Sequence, residues 1–133
     1  MKTDRTKAPP PLPILYDEDC GFCKWSLNKI LAWDRRRRLR PVAIQSAEGQ
    51  ELLEEVPDAR RLESWHLVLP SGEVQSAGAA AAPLMDQLPG GLPLAWAFRR
   101  LPGPTERGYR WVANNRDRLA RRLGIDANCE IRR

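Results

Sequence analysis

Cys20 and Cys23, set in Cys20-Gly21-Phe22-Cys23, are the residues of this chain best suited to chemistry. A C-x-x-C pair admits three readings. It can be a redox-active dithiol, half of a zinc site, or two inert buried thiols. A zinc site would need His66 and Cys129, the other strong nitrogen or sulfur donors of the chain. Their spacings do not match a closed tetrahedral site, and His66 is expected in the middle of a strand, where a core or sheet-face histidine is the ordinary role. No metal is therefore expected. Two residues between cysteines span about one helical turn, which brings the sulfurs within bonding reach, so the dithiol reading leads.

The elements around the pair support that chemistry. An apolar run, Ile14-Leu15-Tyr16, precedes the turn Asp17-Glu18-Asp19. After it, Cys23, Leu27, Ile30 and Leu31 fall on one stripe of an amphipathic helix. A strand thus delivers the cysteines to the first turn of a helix, where unpaired amides and the helix dipole stabilise a thiolate. Cys20 leads the turn and is expected to be the attacking thiol. Cys23, on the apolar stripe, is placed to resolve a mixed disulfide formed on Cys20. Asp17, Glu18 and Asp19 oppose the thiolate, and the loop itself holds no His, Lys or Arg. Cys20 is therefore expected in the upper part of the roughly 3.5 to 7.5 pKa range of such sites, which favours the reducing side of exchange. Asp17 has two readings, a general base for Cys23 or a turn residue whose carboxylate accepts backbone amide protons.

The pattern Asp17, Cys20, Cys23 after a short strand resembles the DCC family of thiol-disulfide oxidoreductases. Trp65-His66-Leu67-Val68-Leu69 with Ser71-Gly72-Glu73-Val74 resembles that family's strand, turn and strand. Ser76-Ala77-Gly78-Ala79 resembles the start of its next helix, and Tyr109 to Arg116 its C-terminal helix signature, so that residues 13 to 124 are covered. The resemblance implies a thioredoxin-like α/β fold, a four-stranded mixed sheet flanked by helices with additional C-terminal helices. It also implies disulfide exchange without a bound cofactor, and it lends weight to Asp17 as a proton acceptor. Thioredoxins carry a cis-proline before the third strand, where the substrate backbone is received. Arg61 to Trp65 has no proline there, so Ser64 or Trp65 is expected to face the cysteines, and a small disulfide becomes more plausible than a peptide. Phe22 and Arg116 complete the candidate substrate pocket. Arg116, beside the apolar stripe of the last helix, would pair with a carboxylate such as Asp17, bind an anionic group, or reach to the rim.

Composition sets the outer limits. A chain of 133 residues with 42% apolar and 29% charged residues is expected to form one soluble domain. Three cysteines do not make a disulfide framework. The start, MKTDRTKAPPPLP, has no apolar core of a signal peptide, and the most apolar stretch, Ala77 to Met85, falls short of a membrane span. A cytoplasmic protein is the expectation. Its partners would be a disulfide-containing protein or small molecule and an electron donor of unknown kind. The net charge is +5, and from Arg99 onward ten arginines face four carboxylates. A competing reading follows, a basic thioredoxin-like binding module that docks on an acidic partner or nucleic acid with its dithiol idle. The arginines are not interleaved with aromatics as in a nucleic-acid module, however, and a solvated basic surface is the simpler account.

In chain order the expectation is a proline-rich tail over residues 1–13, a domain over 14–124 and a short tail carrying Cys129 as a free surface thiol. Strands are expected at 14–16, 39–44, 64–69 and 73–76, the last two as a hairpin. Helices are expected at 20–36, 46–55, 79–88, 92–101 and 105–123, with a turn at Pro102-Gly103-Pro104 and a C-terminal cap at Gly124. Trp25, Trp33, Trp96 and Trp111 are read as packing residues.

Overall fold

The computed structural model describes residues 10–125 and 131. The proposed N-terminal tail lies outside these residues up to position 9, and Cys129 lies outside them as well. Strand β1 (Leu12–Tyr16) pairs in parallel with β2 (Leu39–Ala43) and antiparallel with β3 (His66–Val68), which pairs antiparallel with β4 (Val74–Ser76). The sheet order is β2-β1-β3-β4. Helices α1 (Gly21–Trp33), α2 (Ala47–Leu52), α3 (Asp58–Arg61), α4 (Ala81–Gln87), α5 (Leu92–Arg100), α6 (Pro102–Asn114) and α7 (Arg116–Leu123) flank it, with a 3-10 turn over Ala77–Ala80. This is the expected α/β thioredoxin-like arrangement. Among the described residues, no helix is long and apolar enough to cross a membrane.

The two faces of β1 explain the layers. Successive strand residues point to opposite faces, so Leu12 and Ile14 pack with Leu27 and Leu31 of α1 and Leu84 of α4. Leu15 joins Val42, Ile44, Leu53 and Val68 on the other face. Pro41 is tolerated because β2 is an edge strand. Pro13 lies in the central strand, one residue before the two that pair with β3. The hairpin β3–β4 turns at Gly72, whose φ of 89° suits glycine.

Several expected boundaries shift, each for a visible reason. α1 stops at Trp33, three residues early, because Asp34 takes over. Its fully buried carboxylate accepts the amides of Arg38 and Leu39, both at 2.9 Å, tying the helix end to the start of β2. The expected strand over 64–69 shortens to 66–68: Trp65 O still accepts from Ala77 N at 3.3 Å in the hairpin register, but Ala77, with a φ of 54°, leaves the extended backbone and ends the ladder there. α3 was not expected. The expected turn at Pro102-Gly103-Pro104 is the first turn of α6, where a missing proline N–H costs nothing. The expected single helix over 105–123 is two. At Asn115, the side chain donates to Trp111 O at 2.7 Å and the backbone N–H is shared between Trp111 O and Val112 O, so local bonds compete with the helical ladder. The break changes the phase of the stripe, and Leu123 is left exposed. Trp96 and Trp111, read from sequence as packing residues, are 63% and 59% exposed.

His66 is a satisfied core histidine. It is 1% exposed, with Nε2 2.8 Å from Arg61 O and Nδ1 2.6 Å from Ser76 Oγ. The carbonyl requires a proton on Nε2, so the neutral ring accepts at Nδ1 from the Ser76 hydroxyl. Burial pushes its pKa below the ordinary 6.5. The unfolded chain therefore takes up a proton that the folded chain refuses, and stability falls as pH drops below about 6.5 with a slope approaching about 1.4 kcal/mol per pH unit. Urea titrations between pH 7.5 and 5 should show this loss, and His66→Gln should flatten it. An unchanged slope in that variant would refute the assignment.

Candidate dithiol site

The site begins with how β1 ends. Asp17 Oδ1 accepts the amide of Asp19 at 2.9 Å, and Asp17 O accepts the amide of Cys20 at 3.2 Å, closing the turn that aims the chain into α1. Gln45, just past β2, locks this loop from the side. Its Nε2 donates to Asp17 Oδ1 at 2.7 Å and its Oε1 accepts from Glu18 N at 3.2 Å. The parallel register pairs Tyr16 with Ala43, so the residues following each strand meet at the same sheet edge. The turn-residue reading of Asp17 thus has direct contacts behind it.

Cys20 is the N-cap of α1, and its Sγ accepts the amide of Cys23 at 3.3 Å. Both cysteines are free thiols, each half-buried. Their acidities are driven apart. Cys20 is lowered to about 6, first by the hydrogen bond from the Cys23 side chain, then by the Cys23 amide and the charge of Arg116, against burial and the charge of Asp17. Cys23 is pushed up because it donates to Cys20, because it is buried, and because a thiolate forms beside it, with Arg116 pulling the other way. One sulfur is thus a thiolate near neutral pH while the other holds the proton.

The cation at the pair comes from far along the chain. Arg116, the first residue of α7, places Nη1 3.7 Å from Cys23 Sγ and 4.0 Å from Cys20 Sγ, while its Nε donates to Ala113 O at 3.2 Å. Of its three sequence readings, none named the sulfurs. The helix break at Asn115 is what turns it inward. The placement of α6 depends in turn on Gly78: its amide donates to Glu106 Oε2 at 3.0 Å, and a Cβ there would sit 2.9 Å from Glu106 Cα. Glycine is needed for that approach.

Two concavities meet at the dithiol. An apolar cavity of about 260 Å³ is lined by Asp17, Phe22, Cys23, Ser64, Trp65 and Arg116 together with Ile30, Leu62, Tyr109 and Val112. A polar groove on the Cys20 side is bordered by Asp17, Asp19, Asn114, Arg116 and Asp117. The structure therefore brings every candidate residue named from sequence, Asp17, Cys20, Phe22, Cys23, Ser64, Trp65 and Arg116, to one place. Sequence reasoning did not name Gln45, Ile30, Leu62, Tyr109 or Val112 for it. Gln45 was signalled by its position after the strand parallel to β1. Tyr109 and Val112 were read as stripe residues, and only tertiary packing shows what the stripe faces. The Tyr109 phenol is raised in pKa by burial, and it lines the cavity together with Ser64 and Trp65, which sets α6 beside the segment before β3. Among the described residues, no group of three or more His, Cys, Asp or Glu is arranged to hold a metal ion.

Comparison with known proteins agrees with this geometry. The family model described as DCC1-like thiol-disulfide oxidoreductase matches residues 14–122. No curated protein matches, and no solved structure does.

Proposed function

The chain belongs to the DCC1-like thiol-disulfide oxidoreductase family, and we propose that it works as a disulfide reductase through Cys20 and Cys23. The observation that carries this reading is the geometry of the pair: Cys20 caps α1 with its Sγ 3.3 Å from the Cys23 amide, and Arg116 Nη1 lies 3.7 Å from Cys23 Sγ and 4.0 Å from Cys20 Sγ. In this arrangement the Cys20 pKa is lowered and that of Cys23 raised. In the first step the Cys20 thiolate attacks a substrate sulfur. A Cys20–substrate disulfide forms, the substrate disulfide breaks, and the leaving thiolate is protonated by solvent. Cys23 then loses its proton and attacks Cys20 Sγ, releasing the second substrate thiol and leaving a Cys20–Cys23 disulfide. An external dithiol restores the pair, so two electrons pass from donor to substrate per cycle. An idle dithiol in a binding module would gain nothing from this split in acidity.

The direction of flow follows from the same acidity. A strongly stabilised thiolate makes a disulfide oxidising. A pKa of about 6 is a moderate lowering, because Asp17 and burial oppose the cap, so the pair fits the reducing side and a reducing, cytoplasmic setting. Asp17 serves as proton acceptor for Cys23 in this reading, since it lines the same cavity. The test is steady-state reduction of a small disulfide with dithiothreitol as donor, together with a redox titration. Turnover and a potential nearer thioredoxin's roughly −270 mV than the roughly −120 mV of a strong oxidant are expected. Absence of turnover, or a potential at the oxidising end, would reject it. Asp17→Asn separates two effects. Removing the charge should lower the Cys20 alkylation midpoint below that of the parent, while resolution slows by roughly tenfold or more if the carboxylate takes the proton. A lowered midpoint with unchanged resolution would leave Asp17 as the turn residue alone.

A further inference from the structure

We propose that the natural substrate is a small disulfide carrying an uncharged apolar group of about one ring in size, which fills the cavity beside Cys23. This rests on the disulfide-exchange reading and names the substrate class for it.

Three observations lead there. First, the cavity is lined mainly by apolar side chains, Phe22, Ile30, Leu62, Trp65 and Val112 among them, with Asp17, Ser64 and Arg116 also on its wall, and Cys23 opens into it. Its volume of about 260 Å³ is smaller than the roughly 300 to 1,000 Å³ of sites for drug-sized ligands. It exceeds the roughly 150 Å³ apolar cavity known to take benzene. Phe22, Ala113 and Arg116 border both the cavity and the groove that holds Cys20, so a group attached through one sulfur to Cys20 has a short route into the cavity. Leu62 is 49% exposed and lines it, so its rim meets solvent and a ligand has a way in.

Second, the segment that faces the dithiol is poorly suited to adding a peptide as a strand. The Trp65 carbonyl already accepts from Ala77 N and Ser64 Oγ. Strand addition draws its affinity from free main-chain groups, and the Trp65 carbonyl is engaged within the fold. Recognition there is left to side chains and shape.

Third, the charges discriminate. Asp17, Asp19 and Asp117 border the groove around Cys20, with Arg116 as the cation among them. The Arg116 guanidinium is directed at the sulfurs and is balanced once a thiolate forms. An anionic disulfide approaching Cys20 meets uncompensated carboxylates, and carboxylate repulsion over such distances is only partly screened by salt.

The test uses the reduced full-length protein and a set of unsymmetrical disulfides, R–S–S–CH2CH2OH, in which R is benzyl, methyl or 2-carboxyethyl. Attack on the R-bearing sulfur forms the Cys20–S–R bond, breaks the original S–S bond and releases 2-mercaptoethanol in every case, so the leaving group is constant. Second-order rate constants, read by acid quench and mass spectrometry, are divided by those of N-acetylcysteine to remove intrinsic reactivity. The normalised benzyl compound should react roughly tenfold or more faster than the methyl one, as burial of one ring implies. The carboxyethyl compound should be the slowest. Val112→Trp, which fills the cavity, and Leu62→Ser, a polar change at its exposed rim, should each lower the ratio of the benzyl rate to the methyl rate. Exchange at equal normalised rates for benzyl and methyl, a benzyl advantage unaltered in both variants, or fastest reaction with the carboxyethyl compound would overturn the proposal while leaving disulfide exchange intact. No reaction with any of the three would overturn the exchange reading itself and this proposal with it.

Discussion

Cys20→Ser is expected to abolish disulfide turnover, a loss of roughly three orders of magnitude or more, because the attacking thiolate has no substitute. Cys23→Ser should behave differently. It retains Cys20, so one attack proceeds, and the product stalls as a mixed disulfide on Cys20 that mass spectrometry resolves as a stoichiometric adduct. The asymmetry comes from placement: Cys20 caps α1 and is the acidic thiol, while Cys23 sits one turn in, on the buried side, and holds the proton. The same asymmetry fixes alkylation order in the parent protein. Iodoacetamide at pH 7 should label Cys20 much faster than Cys23, since Cys20 is mostly thiolate about one pH unit above its pKa of about 6. Faster labelling of Cys23, or trapped adducts on Cys23 instead of Cys20, would reverse the assignment. Cys23→Ala adds a check on the cause. It removes the side-chain hydrogen bond that does most to lower the Cys20 pKa, so the Cys20 midpoint should rise further than it does with serine, whose hydroxyl can still donate.

Arg116→Met is expected to raise the alkylation midpoint of Cys20 by about one pH unit, and to slow resolution by Cys23 by roughly tenfold. Methionine keeps much of the stem's apolar packing and deletes the charge. The guanidinium lies 3.7 Å from Cys23 Sγ and 4.0 Å from Cys20 Sγ and lowers the pKa of both, so its removal is felt in both steps. Linkage gives a second readout. A thiol whose folded pKa is lowered to about 6 adds stability to the reduced protein that grows as pH rises above 6, is complete above the unfolded value near about 8.5, and is lost as pH falls through 6. Arg116→Met should shrink that increment and make the Cys20–Cys23 disulfide harder to reduce, because the reduced state has lost a stabilising partner. Arg116→Lys should restore part of the midpoint, since a point charge supplies attraction without the planar fork. A midpoint unchanged in Arg116→Met would show that the helix terminus and Cys23 alone set the acidity of Cys20.

Local patterns in the chain determined a good deal by themselves. The short apolar run, the acidic turn and the period change after Cys23 specify strand, loop and helix, and with them the order of the two cysteines. The turn at Gly72 between two short apolar segments specifies the hairpin, because turn rules act over a few residues. The tertiary structure decided what those rules do not reach. The break at Asn115 cannot be read from periodicity, since the residues on either side continue a helical pattern and only competing hydrogen bonds at Trp111 and Val112 interrupt it. That break turns Arg116 onto sulfurs 96 and 93 positions away. The loop around Cys20 holds no cation of its own, and charge acts through space, not along the chain. Likewise the apolar stripe of Tyr109 and Val112 announces burial but not its partner. Packing against Trp65 and Phe22 makes it the wall of a cavity instead of solid core, because shape arises only when elements distant in sequence are brought together.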